Sequence, residues 1–120
     1  MSFKFSSNFD CENIPEQLLW DDIGIDEVPA YLDEHEDDIE KLNEHVYLVF
    51  VRDYVAFYFV INDNNEIIDM CELTKSPKHY DFKDDILLIL DDPYQSYYSN
   101  ATVYRITPND INTLLEADGE

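Results

Sequence analysis

Apolar residues change their spacing along this chain, and each change marks a new expected element. Phe3 and Phe5 alternate with polar neighbours, the two-residue period of a short strand. Asn13-Ile14-Pro15-Glu16-Gln17 has the make-up of a helix start, with a polar cap and Pro in the first turn. Leu18, Leu19 and Ile23 supply its buried side, and Gly24 ends it. Next, Leu32, His35, Ile39, Leu42 and Val46 recur at steps of three and four, while Glu34, Asp37, Asp38, Lys41 and Glu44 fall mainly on other faces. That spacing predicts a second helix, with Asp26 or Glu27 ahead of Pro29 placing negative charge where the macrodipole favours it.

From Val46 the period shortens. Val46–Val51, Tyr54–Ile61 and Glu66–Leu73 are rich in Val, Ile, Phe and Tyr, which fit a pleated surface. Asp63-Asn64-Asn65 predicts a tight turn, so the second and third of these runs form an antiparallel hairpin. The stretch from Val46 to Ile61 is apolar enough to compare with a membrane span, but it has 16 residues and carries Arg52 and Asp53 at its centre. Paired strands are the better reading. Ser76-Pro77-Lys78 marks a loop between Thr74 and Tyr80. Ile86–Leu90, apolar between Asp84-Asp85 and Asp91-Asp92, reads as a buried strand, although period alone does not separate it from a helical turn. Ala101–Ile106 is a further strand, and Thr107-Pro108-Asn109-Asp110 opens a short helix through Leu115. The expected fold class is α+β: an antiparallel meander of four to five strands with helices before and after it, in a single acidic domain over residues 1–120.

Charge changes the picture most. Aspartate and glutamate number 28 against 7 lysines and arginines, a formal net charge of -21 and a sequence pI near 4.1. A hydrophobic share of 45% excludes a disordered acidic tail. Nucleic acid and anionic lipid are repelled, so neither direct nucleic-acid binding nor a membrane partner is expected, whereas a cationic partner would justify the self-repulsion. Salt-adapted surfaces are acidic all round, but these acids are bunched. Residues 1–45 hold 14 acids and 2 bases, residues 46–80 hold 5 and 3, and residues 81–120 hold 9 and 2. Cys11 and Cys71 form no C-x-x-C pair, so reduced thiols of a cytoplasmic protein are expected. The first seven residues lack the apolar run of a secretory signal.

Candidate chemistry is thin, and no enzyme, metal or cofactor is expected. Paired carboxylates discriminate nothing in so acidic a chain, and Asp53, the one acid between apolar runs, has Arg52 beside it as in a turn. Asp63, Asn65 and Glu66 lack the regular spacing and glycine of a calcium loop. With Gly24 and Gly119 the only glycines, no phosphate-cradling loop is available. His35, His45 and His79 show no ligand spacing, and His35 lies on the apolar stripe of the expected helix.

What rises above background is the segment from Asp21 to Glu44, where 11 of 24 residues are acidic: Asp21, Asp22, Asp26, Glu27, Asp33, Glu34, Glu36, Asp37, Asp38, Glu40 and Glu44. A solvated helix face normally mixes signs, whereas here Lys41 is the only base and Glu36, Glu40 and Glu44 form like-charge pairs one turn apart. Such carboxylates would sit about 5–6 Å apart on a helix, near the spacing of phosphates. A second set, Asp81, Asp84, Asp85, Asp91 and Asp92, continues the row if it lies on the same side. Tyr94, Tyr97 and Tyr98 beside it offer rigid contact area typical of protein interfaces.

In size, in charge and in the row Asp33-Glu34-His35-Glu36-Asp37-Asp38-Ile39-Glu40, the chain resembles the small acidic DNA-mimic proteins of bacteria and phages, among them the monomeric mimics that bind the histone-like protein HU. The resemblance implies a monomer that inhibits a basic DNA-binding protein by occupying its DNA site, without a cofactor. Immunity proteins that neutralise basic nuclease toxins share the size, acidity and tyrosines, and the sequence does not separate the two classes.

Overall fold

The computed structural model of the chain describes residues 3–15, 23–51, 54–73, 79–90 and 102–118. Strand β1 (Lys4–Phe5) is followed by a 3-10 turn at Cys11–Asn13, and a second 3-10 turn at Ile25–Glu27 leads into helix α1 (Val28–Glu34). A third, Glu36–Asp38, precedes β2 (Ile39–Lys41), β3 (Val46–Val51), β4 (Tyr54–Ile61) and β5 (Glu66–Glu72). Then come β6 (His79–Lys83), β7 (Ile86–Leu90), β8 (Thr102–Ile106) and helix α2 (Pro108–Asp118). The fold is α+β. Its five-stranded sheet has the order β1-β5-β4-β3-β2, and its three-stranded sheet the order β6-β7-β8. All pairings are antiparallel except that of β1 with β5.

β3 and β4 read as near-continuous apolar runs because both faces of the first sheet are covered. Tyr47, Val49, Phe57, Phe59 and Ile61 pack with Phe3, Ile14, and Val28 and Leu32 of α1. Val46, Leu48, Val55 and Val60 pack on the opposite side with Leu87, Ile89, Ile106, and Ile111 of α2. Val55 and Val60 share a face despite opposite parity. The register passes from Val49↔Phe57 to Phe50↔Val55, so Ala56 is an extra residue that resets the alternation. On the α1 side, Phe3 stands edge-on to Tyr47 and Phe59 with centroids 5.5 and 5.3 Å away, while Tyr47 and Phe59 stack at 5.0 Å. Among the described residues no helix is long and apolar enough to cross a membrane, and the run from Val46 to Ile61 holds two paired strands.

The second helix is shorter than its periodicity predicts. It stops at Glu34, where no basic residue occupies its last turn and Glu34, Glu36, Asp37 and Asp38 crowd the negative end of the macrodipole. Ile39 then pairs with Val49 as an edge strand and joins the α1-side core, whereas Leu42 and Val46 join the other. The stripe of threes and fours is thus split across two faces of a sheet, and the expected like-charge helical pairs of Glu36, Glu40 and Glu44 do not form.

Other expectations are corrected in the same way. Most of the first expected helix, residues 16–22, lies outside the described residues, and Asn13 belongs to a 3-10 turn with Ile14 and Pro15 buried behind it. Ser76-Pro77-Lys78, the expected loop before Tyr80, lies outside the described residues, and β6 begins at His79. β7 is a strand as expected, but it belongs with β6 and β8 to a separate sheet rather than to one meander. Asp84 and Asp85 join β6 to β7 with φ of 55° and 61°, the double left-handed geometry of a type I′ hairpin turn, which aspartate tolerates better than most residues.

α2 starts where the sequence places it and runs three residues further, to Asp118 rather than Leu115. Thr107 caps it: its Oγ1 accepts the Asp110 N–H at 3.3 Å, and the Asp110 carboxylate accepts the Thr107 N–H at 2.9 Å. Asp118 accepts hydrogen bonds from the Ser6 hydroxyl and from Asn62 Nδ2, tying the end of α2 to the region of β1 and β5. Thr107→Ala is expected to cost about 1 kcal/mol, measured by urea unfolding, with Thr107→Ser nearly neutral.

Candidate protein-binding surface

β2 is an edge strand, and among the described residues its outer edge pairs with no other strand. Charge on such an edge discourages pairing with another chain, and here Glu40 and Lys41 are exposed. Just before it the 3-10 turn exposes Glu36, Asp37 and Asp38, and Glu34 is exposed at the end of α1. Asp33 has a different role. Its half-buried carboxylate accepts the backbone N–H of Phe3 at 3.2 and 3.3 Å, so it holds β1 to α1 rather than facing a partner.

After β2 the chain turns through Asn43-Glu44-His45. Asn43 builds the turn, its Oδ1 accepting the N–H groups of His45 and Val46 at 2.8 and 2.9 Å. Its Nδ2 donates to Asp85 Oδ1 at 3.4 Å, reaching the β6–β7 hairpin. A second link lies further along β2, where the Tyr80 hydroxyl of β6 donates to the Glu40 carboxylate. Burial first, then the hydrogen bond and charge of Glu40, push the Tyr80 hydroxyl up to about 12, so it remains a donor at neutral pH. Through these two contacts Glu40 and Glu44 of the first acidic segment and Asp84 and Asp85 of the second come onto one side of the molecule. Among the described residues, Glu34, Asp37, Asp38, Glu44 and Asp84 make no ion pair with a lysine or arginine.

Glu44 and Asp85 also line an open cleft of about 370 Å³, together with Asn43, His45, and Pro108, Ile111 and Asn112 of α2. No family model, curated protein or solved structure matches the chain. Asp21, Asp22, Asp91 and Asp92 lie outside the described residues, as do Asp53, Tyr94, Tyr97 and Tyr98. Asn43 and Tyr80, which join the two segments, were not singled out from sequence. Tyr80 and Phe82 do alternate with Asp81 and Lys83, a strand signal.

The remaining candidate groups serve the fold. His35 places Nδ1 at 2.8 Å from the Tyr31 carbonyl and stacks on the Tyr31 ring at 4.0 Å. His45 has Nδ1 at 2.9 Å from the Ile61 carbonyl and Nε2 at 3.8 Å from Asp63. The turn at Asp63-Asn64-Asn65 is organised by Asn62, whose Oδ1 accepts the N–H groups of Asn64 and Glu66 at 2.9 and 3.0 Å. Among the described residues no three His, Cys, Asp or Glu side chains are arranged to hold a metal.

Cys71 is a free, half-buried thiol. Burial pushes its pKa up, Asp69 and Glu72 add to the rise, and a hydrogen bond with Tyr58 opposes it, which makes it a poor nucleophile at neutral pH. Burial also raises the Asp69 carboxyl, with a backbone hydrogen bond from Met70 opposing. A raised native pKa means that this group favours the fold fully below its unfolded value of about 3.9, and that the contribution is lost as pH rises through the native value. Asp69→Asn is therefore expected to raise stability more at pH 7 than at pH 4, read from urea midpoints at the two values. An equal gain at both would place the cost elsewhere.

Proposed function

We propose that this protein is a DNA mimic: a cytoplasmic, monomeric inhibitor that occupies the DNA-binding surface of a basic DNA-binding protein, of which a histone-like protein such as HU is the foremost candidate. One observation carries the proposal. Glu40 and Glu44 of one acidic segment and Asp84 and Asp85 of another, distant in sequence, are gathered on one side of the molecule by Tyr80–Glu40 and Asn43–Asp85, and among the described residues no lysine or arginine forms an ion pair with them.

The mechanism is exchange of phosphates for carboxylates. A protein that holds DNA uses lysines and arginines to neutralise phosphates, and the acids on β2, its preceding turn and the β6–β7 hairpin offer an alternative set of acceptors. Charge also speeds encounter, because a one-signed surface steers an opposite one. The row is not a helical ladder. Side chains of the Glu36–Asp38 turn are spread around its axis at three residues per turn, and those of β2 follow a strand, so the acids act as a field more than as a copy of phosphate spacing.

The test is competition. A fluorescent duplex bound to a histone-like protein is expected to be released by this chain with one-for-one stoichiometry. A ternary complex, with neither ligand lowering the affinity for the other, would instead favour an immunity function against a basic toxin.

A further inference from the structure

We infer that the cleft between the Asn43–His45 turn, Asp85 and α2 is the acceptor for one arginine side chain of the basic partner; the inference rests on the DNA-mimic reading and names the contact that anchors it. Among the described residues the cleft is lined by Asn43, Glu44, His45, Asp85, Pro108, Ile111 and Asn112, which include two carboxylates and no lysine or arginine. The positive end of α2 does not cancel them. The Asp110 carboxylate, bonded to the N–H and hydroxyl of Thr107, already occupies that end.

The occupant follows from shape and charge. At about 370 Å³ the cleft lies near the lower limit of small-ligand sites, roughly 300–1,000 Å³, so it suits one long side chain. Ile111 and Pro108 offer apolar wall to a methylene stem, and Glu44 and Asp85 offer acceptors to its head. Asp85 is exposed, and its Oδ1 accepts one long hydrogen bond, 3.4 Å from Asn43 Nδ2, which leaves the carboxylate acceptor capacity to spare. His45 does not compete, because both ring nitrogens lie against groups outside the cleft, the Ile61 carbonyl and Asp63. A planar guanidinium carries five donors and is more weakly hydrated than an ammonium, so it suits two carboxylates and an amide better than lysine does. A metal ion is the poorer fit, because no three metal-ligating side chains converge among the described residues.

The probe is ethylguanidinium chloride titrated into the ¹⁵N-labelled full chain at fixed ionic strength, with ethylammonium chloride in parallel. Saturable shifts are expected at the amides of Glu44, Asp85, Ile111 and Asn112, smaller with ethylammonium and absent in a Glu44→Gln, Asp85→Asn double variant with an otherwise native spectrum. A linear drift of equal size at Glu34, Asp37 and Asp38, or retention in the double variant, overturns the inference. A second arm uses the histone-like protein, for which the double variant is expected to lose affinity by about 100-fold. If the native chain saturates with ethylguanidinium but does not bind that protein, the cleft stands and the mimic reading fails. If the chain competes with DNA and the double variant binds as tightly as the native chain, the cleft inference fails and the mimic reading stands.

Discussion

Glu34→Lys, Asp37→Lys and Asp38→Lys together are expected to weaken binding to a basic DNA-binding partner by about 100-fold in dilute buffer, mostly through slower association, while raising the thermal midpoint of the isolated protein. The two effects have opposite signs for one reason. These exposed carboxylates crowd the C-terminal end of α1, where lysine complements the macrodipole and acid opposes it. The same charges supply the field that attracts lysines and arginines. Glu40 is left out because the Tyr80 hydroxyl depends on it, and Asp33 because it anchors the Phe3 N–H. Glu12→Lys provides the control: Glu12 belongs to the 3-10 turn after β1, at the opposite edge of the first sheet from β2, and its reversal is expected to change affinity little. Stopped-flow association and thermal melts read both halves. Unchanged binding in the triple variant would remove these acids from the interface.

Phe59→Ala is expected to have the largest effect on stability. Phe59 is fully buried, lies against Phe3 and Tyr47 at centroid distances of 5.3 and 5.0 Å, and sits in the central strand of the five-stranded sheet. Removing a buried aromatic ring costs about 3–5 kcal/mol, against a total near 5–15 kcal/mol for a domain of this kind. A chain of net charge -21 has further self-repulsion to overcome. The variant should therefore be largely unfolded in dilute buffer at 37 °C and regain structure in molar salt, which screens the repulsion while leaving the cavity. Urea unfolding and far-UV circular dichroism give the comparison. A loss below about 1 kcal/mol would mean that the α1-side core is not packed around this ring.

The parts of the fold legible in the sequence are those where local preference and tertiary packing agree. β3, β4 and β5 are dense in β-branched and aromatic residues, and β4 meets β5 at a turn whose Asn65 adopts a φ of 61°, so composition, turn chemistry and burial coincide. The Thr107–Asp110 cap announces α2 for the same reason. Misreading begins at His35. Ile39, Leu42 and Val46 recur with helical spacing, but they belong to an edge strand, a turn and an inner strand, and their side chains enter two different cores. Repulsion among neighbouring acids, together with pairing to β3, decided between helix and strand, and neither is a property of apolar spacing. The split into two sheets was hidden too, since β6 and β7 are adjacent in sequence to β5 and nothing local says that they leave its sheet.

Of the surface, the sequence showed which segments were acidic but not which acids met. The bunching of Glu34 to Glu44 and of Asp84-Asp85 is plain in composition. Their arrangement depends on Tyr80 reaching Glu40 and Asn43 reaching Asp85 across the two sheets, contacts set by long-range packing. Asp33 looked like a member of the row and is a structural acceptor, because its role is fixed by Phe3, thirty residues earlier.

Under the proposed function, this chain and DNA compete for one site on a basic partner. Carboxylates on a folded protein lack the condensed counterion atmosphere of duplex DNA, for which affinity falls with a logarithmic slope of about -0.9 per phosphate contact. The most direct measurement is displacement of a fluorescent duplex from a histone-like protein at about 50 and 200 mM salt. Complete displacement is expected at both, with less of this chain needed per duplex released at the higher salt. Failure to displace the duplex at either concentration, with the chain bound beside it, would contradict the proposed function.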